Sequence, residues 1–277
     1  MKILSCGSGM QSTALALMSV ENKLHPGKHP LVPVYDAVIF CDLGNEPQWV
    51  FKQTMFIKEK CEEVGIPFYI LDSPLYDDYV HDYGNKRVCS IPFWVINEDG
   101  KKSKLPRNCT LEYKIDLINK FTRWNLLGYK KGQRTKPEDI KAHEMHLGFS
   151  YEEQKRCKEN PHKMFVNKYP LVDMKLERKD NYAYIRDVWG LITKASACNI
   201  CPFHRNFFFA YIKNNSKKDY DSVVKMDKLL EEKTIDTKIK GQVFISRSRK
   251  RIVDLTEEDC NDAETFKYRN QDIWNGF

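Results

Sequence analysis

Two stretches of this chain hold residues whose types and spacing can do chemistry. The first is Gly7-Ser8-Gly9-Met10-Gln11-Ser12-Thr13. Glycines let a backbone approach an anion, N–H groups at a helix start point toward it, and serine and threonine hydroxyls add donors. The turn therefore reads as a phosphate site, with Gly7, Ser8, Gly9, Gln11, Ser12 and Thr13 as its binding residues. It is not a Walker loop, because the Gly-Lys-Ser/Thr ending is absent. It is not a dinucleotide fingerprint either, because the third glycine is missing. The plainer alternative is a strand-to-helix turn that needs small residues.

The second stretch is Ala197-Cys198-Asn199-Ile200-Cys201-Pro202-Phe203-His204. Two cysteines at this spacing can bind one metal from a tight turn. Cys109 could join Cys198 and Cys201 in space, and His204 is a candidate fourth ligand. Three cysteines and a histidine suit zinc. Three cysteines with an open position suit a four-iron, four-sulfur cluster. The plainer alternative is a redox-inert pair in a loop, since one Cys-x-x-Cys is a weak signal by itself.

The elements around these stretches alternate. Residues 2–6 read as a buried strand and the pattern from Gln11 as a helix. Residues 34–41 read as a second strand, 47–64 as a helix and 67–71 as a third strand. That alternation implies an α/β fold with a mostly parallel sheet flanked by helices. Residues 72–108 read as irregular and 111–127 as a helix. Residues 143–149 read as a strand, 151–158 and 181–189 as helices, and 206–213 as a helix start. A short charged helix covers 226–232, and 243–245 with the tail look peripheral. The expected division is a nucleotide-binding domain over 1–194 and a cysteine-bearing, mainly helical extension over 195–277.

Composition bounds the function classes. The chain has 277 residues, 45 Lys+Arg against 38 Asp+Glu, and a formal net charge of +7. With 15 Phe, 14 Tyr and 5 Trp there is ample apolar surface to bury, which excludes disorder as the main state. No apolar run approaches the roughly 20 residues of a spanning helix, so no membrane partner is expected. No signal peptide is visible, and nine cysteines are an odd number. A reducing, cytoplasmic location without a disulfide framework is expected. The modest positive charge tolerates a nucleotide or nucleic acid without demanding one.

Several single residues carry weaker signals. Asp42 ends a strand where α/β folds bind ligands, and could hold a ribose hydroxyl or a magnesium ion, or cap the next turn. Arg156 could clamp phosphate, or pair with Glu152 and Glu153 on a helix surface. Arg107 and Lys114 flank Cys109 and could supply positive charge to an anionic ligand or cluster. The basic run Ser246–Arg251 could touch a nucleic-acid backbone, or be a solvated loop. Cys157 and Cys260 are further, weaker ligand candidates, and His81, His143 and His146 have no partner pattern.

Read together, six collinear segments resemble the PP-loop (adenine nucleotide alpha-hydrolase-like) superfamily, in its phosphoadenosine phosphosulfate reductase-like family. The segments are the Gly7–Thr13 turn, Ile39–Pro47, Arg107–Ile115, Gly148–Arg156, Tyr169–Asp173 and Ala197–His204. The last resembles an uncharacterised, often phage-encoded branch. The superfamily loop reads Ser-Gly-Gly-Lys-Asp-Ser-Thr; here Gly9, Ser12 and Thr13 match, while Met10 and Gln11 replace Lys and Asp. The resemblance implies a Rossmann-like fold and binding of ATP or another adenine nucleotide. It implies cleavage between the alpha and beta phosphates, with magnesium sharing the charge. Ser12, Arg156 and Lys114 are its candidate catalytic residues. A cluster or zinc at the cysteines, and sulfur transfer to tRNA or DNA, follow from the same resemblance. Sulfonucleotide reduction is a second expectation, weakened because the tail reads Asp259-Cys260-Asn261 without the reductase Gly and His. Two further alternatives are a non-catalytic nucleotide-binding module and a nucleic-acid-binding protein with structural zinc. Oligomeric state leaves no trace in the sequence.

Overall fold

The computed structural model describes residues 1–261. Two compact units emerge, and both are built from discontinuous pieces. The first comprises Met1–Cys41, Trp49–Leu71 and Asp116–Ser196. The second comprises Asp42–Gln48, Asp72–Ile115 and the residues from Ala197 onward. Thus 72–115 group with the cysteine-bearing extension. The part of that extension over 262–277 lies outside the described residues.

The first unit is an α/β sandwich around a parallel five-stranded sheet. Its strands are β1 (Lys2–Cys6), β2 (Ala37–Asp42), β3 (Phe68–Asp72), β6 (His143–Leu147) and β7 (Phe165–Lys168). They lie in the order β3-β2-β1-β6-β7. β1 pairs in parallel with β2 through Ile3 opposite Ala37, and with β6 through Ile3 opposite Met145. Strands covered on both faces need continuous apolar runs. Ala37 to Cys41 are accordingly all buried, as are Ile3, Leu4 and Cys6.

The chain therefore steps outward from β1 to β3 and later returns to the other side of β1. The order reverses between β1 and β6, and open α/β sheets bind ligands at the carboxyl ends of the strands beside such a reversal. Helices α1 (Met10–Leu24) and α2 (Gln48–Glu63) follow β1 and β2. After β7 come α5 (Pro170–Asp173) and α6 (Arg178–Trp189). α6 opens on a reciprocal Glu177/Asp180 cap and stops at Gly190, whose φ of 66° suits the left-handed terminus. The expected helix over 111–127 is regular α only at α4 (Asp116–Phe121), with wider π turns on either side. The expected helix over 151–158 is a 3-10 turn at Tyr151–Arg156.

The second unit holds the elements that sequence reading left irregular. α3 (Leu75–Asp82), β4 (Trp94–Ile96) and β5 (Lys102–Lys104) all lie within 72–108. β4 pairs antiparallel with β5 and with β8 (Gln242–Phe244). Val243 and Ile245, expected at the periphery, are fully buried there. α7 (Asn206–Asn215) and α8 (Lys217–Lys233) pack together, and α9 (Glu257–Cys260) packs on α7. Among the described residues no helix is long and apolar enough to cross a membrane.

Candidate functional site

The Gly-rich turn joins β1 to α1 beside the reversal of strand order. Gly9 is the N-cap of α1, in extended conformation and without a side-chain cap. The first turn of α1 carries no acidic residue. A helix N-terminus of this kind favours an anion, because its amides and dipole present positive charge.

Several side chains hold the turn in shape. Ser12 Oγ accepts from the Gly7 N–H at 3.1 Å and donates to the Gly9 carbonyl at 3.2 Å. Thr13 Oγ1 donates to the same carbonyl at 2.8 Å. The two hydroxyls expected to face phosphate are thus directed into the loop itself, and Ser12 is buried. Ser8 takes φ of 52°, an uncommon value for a residue with a side chain. Its Oγ accepts from Thr54 at 2.7 Å and its carbonyl from Gln53 Nε2 at 2.6 Å. Gln53 also accepts from the Lys194 N–H at 2.6 Å and donates to the Lys194 carbonyl at 3.1 Å. Trp49 Nε1 donates to the Ala195 carbonyl at 3.0 Å. Buried polar residues of α2 therefore tie 194–196 to the loop.

The segment after β6 supplies the other wall. A methyl group added at Gly148 would lie 2.6 Å from Ser12 N and 2.9 Å from Gln11 C, so only glycine fits. Gln11 Nε2 donates to Glu153 Oε2 at 2.9 Å and to Ser150 Oγ at 3.4 Å. Glu153 also takes Arg178 Nη2 at 3.0 Å and pairs with Arg156. Burial pushes the Glu153 carboxyl up, but the Arg178 and Arg156 guanidiniums outweigh it and hold it below the usual carboxylate range. Arg156 also lies 4.6 Å from the Phe149 ring centre. Glu152 Oε1 also lies 3.9 Å from Arg178 Nε, so two guanidiniums and two carboxylates form one ion-pair network on this wall, with Arg156 its half-exposed cation.

Asp42 groups with the second unit. Its Oδ1 accepts from the Gly44 N–H at 2.8 Å, which caps the following turn. Lys114 is also in the second unit, with Nζ 3.4 Å from Glu46 Oε1. Burial raises the Glu46 carboxyl against the opposing effect of Lys114. Glu46 Oε2 has no hydrogen-bond partner, although it is buried.

The cysteines occupy the same second unit. Cys201 N–H donates to the Cys198 carbonyl at 2.9 Å, closing the Cys-x-x-Cys turn. The two thiols are hydrogen-bonded to each other, which holds Cys201 below the usual thiol range and Cys198 above it. Burial raises the Cys109 thiol, and the nearby Cys201 adds to that effect. Arg107 and Lys114 act on Cys201 in the opposite sense. His204 is fully buried and stacks on Phe208 with ring centres 3.5 Å apart. Its Nε2 lies 2.9 Å from the Cys198 carbonyl, so it braces the turn with that nitrogen. Burial pulls its pKa down to about 3. Among the described residues no three His, Cys, Asp or Glu side chains are arranged to hold a metal ion. By donor chemistry the thiols of Cys109, Cys198 and Cys201 suit a soft metal, and the unpartnered Glu46 oxygen belongs to the same unit.

Cys260 is buried, and its thiol donates to the Asn206 carbonyl at 3.5 Å. Sequence reasoning did not single out Gln53, Thr54, Arg178, Lys194 or Ser196. A buried Gln-Thr pair on α2 gives no signal until the partner loop is known. No family model matches the chain, and no curated protein matches it in sequence.

Proposed function

We propose that the first unit binds an adenine nucleotide by its phosphates, and that the protein is a PP-loop enzyme of the phosphoadenosine phosphosulfate reductase-like kind. The observation that supports this reading is the uncapped N-terminus of α1 at the strand-order reversal, pressed by Gly148 and flanked by Arg156 and Arg178. In the proposed reaction an acceptor nucleophile attacks the alpha phosphorus. The alpha–beta P–O bond breaks, and pyrophosphate leaves with the electron pair. First-turn amides of α1 stabilise the charge growing on pyrophosphate. Arg156 and Arg178 supply the positive charge that a loop lysine would otherwise give, and magnesium would share it. Gln11, bonded to Glu153, keeps the carboxylate turned toward the guanidiniums.

Cys109, Cys198 and Cys201 are the residues that would hold the zinc ion or four-iron cluster that the resemblance implies; they match it in donor chemistry but are not arranged as a three-ligand group among the described residues. Iron would supply an open position for a sulfur atom, whereas zinc would serve structure. His204 is assigned to bracing the turn, not to ligation through Nε2. A sulfonucleotide reductase is disfavoured, because its required thiol would be the buried Cys260.

A second reading, binding without turnover, draws on the inward-directed hydroxyls of Ser12 and Thr13. Calorimetry with ATP and with pyrophosphate, together with a pyrophosphate-release assay, separates the readings. Binding with release supports the enzyme, and binding without release under every acceptor supports the module. Absence of binding to either ligand overturns both. Arg156→Ala, whose side chain is half exposed, should weaken pyrophosphate binding by about tenfold, in line with loss of one charge-assisted contact.

A further inference from the structure

The basic run Ser246–Arg251 does not act as one patch. Arg251 pairs with Asp227 and Glu231, and Lys250 pairs with Asp259. Arg249 turns instead to the three-stranded sheet of the second unit. Its Nε donates to the Val95 carbonyl at 3.3 Å and its Nη2 to the Ser103 carbonyl at 3.4 Å. Its guanidinium lies 5.1 Å from the Trp94 ring centre.

Trp94 begins a row of alternating rings and cations. Lys104, directly opposite Trp94 across the β4–β5 pair, holds its Nζ 5.6 Å from the Trp94 ring and 4.8 Å from the Phe203 ring. Arg107 lies 5.3 Å from the other ring, Phe203. The row therefore runs Arg249, Trp94, Lys104, Phe203, Arg107, drawn from four separate stretches of chain. Lys102 shares the Lys104 face of β5, and the whole of β5 is exposed. Trp94 Nε1 donates to the Pro202 carbonyl at 2.8 Å, which fixes the ring.

We propose that this row is a binding surface for single-stranded nucleic acid. Such surfaces combine cations that track the phosphates with aromatic platforms for bases. Here the cations and rings alternate. An exposed lysine resting on a ring can swing to a phosphate and uncover the ring face for a base. Arginine guanidiniums stack on bases as well as binding phosphates. A lone edge strand protected by lysines would explain Lys102 and Lys104, but not the two half-buried rings interleaved with them. The inference does not depend on the nucleotide-binding reading, since every residue in it belongs to the second unit.

The test is fluorescence anisotropy of the full chain with labelled 20-nucleotide oligo(U), oligo(dT) and a 20-base-pair duplex, over a salt series. Both single strands should bind more tightly than the duplex, and the preferred strand identifies RNA or DNA as the ligand. Phe203→Ala should weaken binding by about tenfold, the effect of losing one stacked base. Lys104→Ala should lower the slope of log K against log salt by about 0.7. Trp94→Ala should act like Phe203→Ala; Trp94→Phe keeps a ring should the alanine variant fail to fold. Lys86→Glu, in the turn that follows α3 and outside the row, should change nothing. The proposal fails if the chain does not bind either strand at low salt. It also fails if duplex or inorganic polyphosphate binds equally well and only the charge substitutions matter. ATP binding, measured in parallel, reports on the first unit independently.

Discussion

Replacing Gly148 with alanine tests the phosphate site at its tightest point. The new methyl would sit 2.6 Å from Ser12 N and 2.9 Å from both Gln11 C and Ser12 Cα. All three are backbone atoms of the first turn of α1, so no side chain can rotate away. Ordinary contact begins near 3.4 Å. The helix start must therefore retreat by about 0.8 Å, or β6 must shift by as much. Overpacking of this kind costs about 1–3 kcal/mol. For a body of this size that is a fall in melting temperature of roughly 2–12 °C. A first-turn amide displaced by that distance also leaves hydrogen-bond range of a bound phosphate. Each charge-assisted bond lost is worth about 1.5–3 kcal/mol, or roughly 10- to 100-fold in affinity. Two neighbouring glycines give the controls. Alanine at Gly7 meets nothing nearer than Ser196 Oγ at 3.6 Å and should stay within about 0.5 kcal/mol of wild type. Alanine at Gly9 meets Ser196 Oγ at 2.5 Å, a side chain that can turn. Its smaller penalty should largely vanish when Ser196→Ala is added. Scanning fluorimetry and pyrophosphate titration read all four variants. A Gly148→Ala protein with wild-type melting and affinity would refute the close approach on which the site depends.

Three further outcomes are expected. Glu153→Gln removes a carboxylate held below its usual range, so its contribution to stability is present above about pH 4.5 and lost as pH falls through the lower folded value. The gap between wild type and variant in urea denaturation should therefore be wide at pH 7 and close at strongly acidic pH; a constant gap would contradict the assignment. Gln53→Ala leaves the Ser8 carbonyl and both backbone groups of Lys194 without their buried partner, at a cost of about 1–3 kcal/mol. Amide exchange at Lys194 and Ala195 should quicken, and unchanged exchange would show that 194–196 are held by other means. Serine at Cys109, Cys198 or Cys201 should each lower the metal content of anaerobically purified protein by elemental analysis, while His204→Gln keeps it. Loss of metal in His204→Gln would return that residue to the ligand set.

The parallel sheet was legible because buried strands need continuous apolar runs, and Val38–Cys41 is one. The Gly-rich turn was legible because few structures need that density of small residues. β4 and β5 were not legible. Three-residue strands have no periodicity to detect, and Lys102-Ser103-Lys104 on an exposed edge reads as loop. The hydroxyls of Ser12 and Thr13 were placed correctly in the turn, but spacing alone does not say which way a hydroxyl points. Charge runs misled for a related reason. Arg251 and Lys250 look solvated in sequence, yet Arg251 pairs with Asp227 and Lys250 with Asp259, outside the run itself. Arg178 lies in a run of charges, Glu177-Arg178-Lys179, that carries no pattern of its own, and is informative only beside Glu153.

The interleaving of the two units has a consequence for anyone who wants to dissect them. The backbone passes from one unit to the other after Cys41, Gln48, Leu71, Ile115 and Ser196. No single cut separates them. A fragment ending at Ser196 holds every piece of the sheet unit, but also carries 42–48 and 72–115 stripped of α7, α8 and β8, the elements that complete their core. Exchange of either unit between related chains would have to proceed by splicing several segments at once.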